Sequence, residues 1–72
     1  MRRLRLTHPD LEFWIDVRVR DFSGRWLAVA DVADEPAVGM GETLDEALAG
    51  ALAAFDVRLR EQLVASARDV AS

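Results

Sequence analysis

Leu11-Glu12-Phe13-Trp14-Ile15-Asp16-Val17-Arg18-Val19-Arg20 carries the clearest structural period in the chain. Apolar residues take every second position, Leu11, Phe13, Ile15, Val17 and Val19, which is strand periodicity, and the β-branched and aromatic content agrees with it. The opposite face carries Trp14, Asp16, Arg18 and Arg20. Asp21-Phe22-Ser23-Gly24-Arg25 then supplies a turn, because Gly24 tolerates the positive φ of a tight hairpin. Trp26 to Val32 is the returning strand. With Ser23 and Gly24 as the two loop residues, Val19 lies opposite Ala28, Val17 opposite Ala30 and Ile15 opposite Val32. One face then holds Ile15, Val17, Val19, Trp26, Ala28, Ala30 and Val32, large on one strand and mostly small on the next, which leaves room for a helix to dock. The other face sets Arg20 against Leu27 and Arg18 against Val29, arginine stems over aliphatic side chains.

Working outward, Asp34-Glu35-Pro36 interrupts the apolar pattern, and Ala37 to Met40 reads as a short third strand on a sheet edge. Arg2 to Leu6 also alternates and, set off by the His8-Pro9-Asp10 turn, is a candidate fourth strand. Thr43-Leu44-Asp45-Glu46 fits a capping box, with the Thr43 hydroxyl accepting from the Glu46 amide and the Glu46 side chain returning to the Thr43 amide. Leu44, Leu48, Ala51, Leu52, Phe55, Leu59 and Leu63 continue as one apolar stripe without a proline. One long helix to about residue 68 is predicted, about 38 Å at 1.5 Å per residue against about 23 Å for seven-residue strands, so its last turns overhang. Gly50 costs about 1 kcal/mol inside a helix, a cost that a close helix-to-sheet or helix-to-helix approach would offset. The fold class expected is α+β, a single domain over residues 1–72, with an antiparallel three- or four-stranded sheet packed on that helix.

At 72 residues, a single core seldom supplies more than about 3–5 kcal/mol, and disulfides, a metal or another chain usually supplement it. Cysteine is absent and His8 is the only histidine, so association with another chain is the expected supplement. Half of the residues are hydrophobic, 51%, which leaves apolar surface for such contact. No apolar run is long enough to span a bilayer and no signal-peptide core follows Met1-Arg2-Arg3-Leu4-Arg5, so a cytoplasmic location is expected. Basic residues are all arginine and alanine is abundant, compatible with a GC-rich bacterial genome.

The net charge of -4 is unevenly spread: residues 1–25 sum to +2, residues 26–56 to -7 and the remainder to +1. Asp31, Asp34, Glu35, Glu42, Asp45, Glu46 and Asp56 form that acidic stretch, which attracts a basic partner and repels nucleic acid phosphate.

Chemistry is poorly provided for. Ser23, Ser66 and Ser72 have no base beside them, and His8 reads as a solvated turn residue. Asp16 and Asp31, facing one another across the hairpin, would be a thin magnesium site of a vestigial nuclease. The four glycines make no phosphate-binding fingerprint. Arg2, Arg3 and Arg5 sit on a short basic strand of the kind ribbon-helix-helix repressors use, but a hairpin follows instead of two helices. Trp14 points outward beside Arg18, Arg20, Leu27 and Val29, the composition of an interface core with an arginine rim. These five are the interface candidates; no catalytic residue, cofactor or metal site is expected.

The order Gly24-x-Trp26-x-Ala28, then Gly41-x-Thr43-x-x-Glu46-Ala47-Leu48, resembles the HicB family over residues 13 to about 55. The resemblance implies a degenerate RNase H-like half-domain without nuclease carboxylates, acting as an antitoxin that binds HicA, a small basic ribonuclease, and self-associating, most simply as a homodimer. Family members usually enter the third strand through proline-glycine, where this chain has Pro36-Ala37. The residues after Phe55 leave no room for the DNA-binding domain that many members carry, and the fourth strand often found after the helix has no counterpart in the pattern, so an open sheet edge is expected. The alternative function is a structural homo-oligomer with no toxin partner.

Overall fold

The computed structural model describes residues 2–10, 12, 14–32 and 35–70. Its five strands are β1 (Arg2–Leu6), β2 (Ile15–Phe22), β3 (Arg25–Val32), β4 (Glu35–Gly41) and β5 (Arg68–Asp69), with two helices, α1 (Leu44–Ala51) and α2 (Val57–Ala65), between β4 and β5. All pairings are antiparallel, and the strand order is β4-β3-β2-β1-β5. The protein is α+β, with both helices on one side of the sheet. No helix among the described residues is long and apolar enough to cross a membrane.

The hairpin register is the one its alternation dictates. Val19 pairs with Ala28, Val17 with Ala30, Arg20 with Leu27 and Arg18 with Val29. Ser23 (φ 50) and Gly24 (φ 77) both take positive φ, the conformation whose twist matches a two-residue hairpin. The β2–β3 ladder ends at Val17↔Ala30, short of the expected Ile15–Val32 pair; Ile15 pairs with Leu6 on its β1 side and Val32 with Glu35 on its β4 side. Leu11 and Phe13 lie outside the described residues, and β2 begins at Ile15.

Three further expectations are corrected. The sheet has five strands, because Arg2–Leu6 does pair with β2 and a two-residue strand after the helices pairs with β1, Leu4 facing Asp69 and Arg5 facing Arg68. Glu35 and Pro36 do not interrupt the third hairpin strand but belong to β4, where Pro36 is tolerated because β4 is an edge. The single long helix is two. Leu52 closes α1 and Asp56 opens α2, its carboxylate accepting from the Leu59 amide at 3.0 Å. A straight continuation would carry Leu63 past the sheet, whereas α2 as a separate helix buries Leu63 completely. Burial of one leucine is worth about 1.5–3 kcal/mol, enough to offset the one or two hydrogen bonds a continuous helix would add at about 0.5–1.5 kcal/mol each.

The core consists of Leu4 and Leu6 from β1, Ile15, Val17 and Val19 from β2, Ala28 and Ala30 from β3, and Ala47, Leu48, Ala51, Leu52 and Leu63 from the helical layer. Small residues on β3 and β4 let α1 come close. A Cβ placed on Gly39 would stand 2.2 Å from the Ala47 carbonyl oxygen, and one on Gly50 would stand 3.1 Å from the Gly39 Cα. The two glycines therefore face each other across the helix-sheet contact, and the helical glycine's propensity cost is offset there. Thr43 caps α1 as expected, accepting from the Glu46 amide at 3.1 Å. The Glu46 carboxylate reaches one residue further than a capping box requires, accepting from the Glu42 amide at 2.9 Å rather than from Thr43.

Candidate functional site: the open sheet face

Helices cover only one side of the sheet. Alternation along each paired strand assigns Arg3 and Arg5 of β1, Asp16, Arg18, Arg20 and Phe22 of β2, Arg25, Leu27, Val29 and Asp31 of β3, Pro36, Val38 and Met40 of β4, and Arg68 of β5 to the other side. All five interface candidates lie here or at its margin. Arg18, Arg20, Leu27 and Val29 are neighbours through the β2–β3 register, and Trp14 stands just ahead of β2 under the Arg5 guanidinium, 4.3 Å from ring centroid to Cζ.

The face divides in two. Toward β4 it is apolar: Leu27 faces Met40 and Val29 faces Val38 across the strands, with Val38 59% and Met40 51% exposed. These two were not among the sequence candidates; their signal was there, since the odd positions of β4 carry only Glu35, Ala37, Gly39 and Gly41 while Val38 and Met40 take even ones. Toward β5 the face is basic and aromatic. Trp14 is 56% and Phe22 54% exposed, and the Arg20 guanidinium lies 5.8 Å from the Phe22 ring.

Asp16 and Asp31 do not form the thin carboxylate pair of the vestigial-nuclease alternative. Arg5 holds Asp16 through two hydrogen bonds, 3.0 and 3.4 Å, and Arg18 pairs with Asp31 at 3.5 Å. Each carboxylate has found a guanidinium, a better partner than a second like charge. Among the described residues no three histidine, aspartate or glutamate side chains stand together as a metal site.

His8 is also not the solvated turn residue that its neighbours suggest. Its side chain is only 8% exposed; Nδ1 accepts from the Asp10 amide at 3.0 Å and Nε2 faces the Gln62 side-chain oxygen. Both ring nitrogens thus have a partner within the chain. With the Thr7 amide donating to Ser66 Oγ at 2.8 Å, this arrangement ties the end of β1 to α2. His8 is a structural residue.

The helical side carries the acids. Glu42, Asp45, Glu46, Asp56 and Glu61 are exposed on or beside α1 and α2, and Asp45 and Glu46 complement the α1 dipole. No family model, curated protein or solved structure matches the chain.

Proposed function

We propose that the chain is a protein-binding module that acts by contact rather than by catalysis and associates with a second copy of itself. The observation that carries this reading is the open edge of β4 together with the exposed Val38 and Met40 beside it. An edge strand presents unpaired backbone donors and acceptors, and proteins that must stay monomeric protect such edges with charge or irregularity. Here only Glu35 and Pro36 offer protection, at one end. Antiparallel pairing of two β4 strands about Val38 would join the apolar halves of two sheet faces into one strip.

The partner class follows from the HicB resemblance: an antitoxin-like module of RNase H-type half-domain fold, working in the cytoplasm, that binds and blocks a small basic HicA-type ribonuclease. Thr43 and Glu46 support the resemblance, since its most specific motif does open a helix. The exposed acids of the helical layer are the surface a basic chain would meet. The arginine-bearing half of the sheet face would repel it, so Trp14, Arg18 and Arg20 are assigned away from that contact, and Leu27 and Val29 to self-association.

Co-expression with the product of an adjacent reading frame encoding a small basic chain tests the antitoxin reading. Relief of that product's toxicity, lost on replacing Asp45 and Glu61 with lysine, is the expected result. Unrelieved toxicity from a well-expressed partner leaves a structural homo-oligomer.

A further inference from the structure

On the β1–β2–β5 half of the open face, Arg3 stands opposite Arg18 and Arg5 opposite Arg68. Like charges directly opposite on neighbouring strands destabilise a sheet. The crowding therefore costs the isolated chain stability that a bound anion would return. Of the strand residues on this face, six are arginines (Arg3, Arg5, Arg18, Arg20, Arg25 and Arg68) and two are carboxylates, Asp16 and Asp31, each already paired with an arginine. The face carries +4, while the rest of a chain of net charge -4 carries -8. The acidic stretch at residues 26–56, which argued against phosphate binding when read as a line, is mostly folded away from it.

Charge alone would suit any polyanion, but the aromatic residues narrow the choice. Trp14, just ahead of β2, and Phe22, at its end, are both more than half exposed and bracket the outward row, with Asp16, neutralised by Arg5, then Arg18 and Arg20 between them. Their separation is about 26 Å along an extended chain, enough for several nucleotides. Exposed rings interleaved with guanidinium groups on a flat, open surface stack unpaired bases while the cations take the phosphates. An acidic peptide would leave those rings unused, and a duplex offers its bases to nothing on a flat sheet.

We propose that this arginine and aromatic track binds single-stranded nucleic acid, with Trp14 and Phe22 stacking on bases and Arg3, Arg18, Arg20 and Arg68 contacting phosphates. The site is separate from the β4 edge, so it stands or falls independently of self-association.

Fluorescence anisotropy of a labelled oligothymidylate dodecamer tests the proposal. The expected result is micromolar binding at about 50 mM salt that weakens at least about tenfold at about 200 mM. Trp14→Ala and Phe22→Ala should each weaken binding about fivefold or more, Arg20→Ala should lower the salt slope by about one, and Val57→Ala, at an exposed position on the helical side, should leave affinity unchanged. Each variant is at an exposed position, and circular dichroism confirms that it is folded. The proposal is overturned by absence of binding at about 100 µM protein, by a polyglutamate peptide or a duplex competing as well as the single strand, or by unchanged affinity in both aromatic variants.

Discussion

The Arg5 guanidinium lies 4.3 Å over the Trp14 ring while its Nε and Nη2 hold the Asp16 carboxylate at 3.0 and 3.4 Å. One side chain thus fixes an exposed tryptophan and neutralises a carboxylate that could otherwise have served a metal. The group is half in solvent, so its energetic contribution is modest. A double-mutant cycle of Arg5→Ala and Trp14→Ala, read by urea unfolding, should return a coupling of about 0.5–1 kcal/mol. A coupling of zero would mean that Trp14 is not held by Arg5 in solution.

Leu63 discriminates between one helix and two. In a straight helix starting at Thr43 it would stand beyond the sheet, and truncating it would cost little. Buried completely in the core as α2 places it, Leu63→Ala should cost about 2–5 kcal/mol. Asp56→Ala should cost about 1 kcal/mol through loss of the α2 cap. Thermal unfolding of both variants measures this.

Gly39 and Gly50 should not respond alike to alanine. A Cβ at Gly39 would meet backbone atoms of Ala47 and Ala51 at 2.2 Å, while a Cβ at Gly50 would be at 3.1 Å from the nearest atom. Gly39→Ala therefore forces α1 off the sheet, with a loss of about 1–3 kcal/mol or more. Gly50→Ala gains about 1 kcal/mol of helix propensity against a milder clash, and its net change should be clearly smaller. Denaturant midpoints for the pair settle the order.

The contrast between what the sequence made legible and what it hid has physical causes. The β2–β3 register was readable because a period of two and a two-residue loop at Ser23-Gly24 leave no other solution that keeps Val17 and Val19 inside. Trp14's exposure, the α1 cap at Thr43 and the Gly50 approach followed from equally local rules. The helix break was not readable from periodicity, since Leu52, Phe55, Leu59 and Leu63 satisfy one helix as well as two. Asp56 was its only marker, a capping residue hidden inside an apolar stripe. β5 is two residues long, too short for any alternation. The arginine track was invisible because the segment joining β1 to β2 is too long to set a register, so nothing in the order of residues put Arg3 beside Arg18 or Arg5 beside Arg68. Charge read along the chain described an acidic protein; the fold sorts that charge by face.

The proposed binding function begins with a second copy of this chain paired through β4. Sedimentation equilibrium over a range of concentrations tests it most directly, on the unaltered protein and on Val38→Lys, which puts a charge at the exposed centre of the open edge. The expected result is a mass of twice 8.0 kDa for the unaltered protein and a folded monomer for the variant. A single 8.0 kDa species for the unaltered chain at every concentration would contradict it.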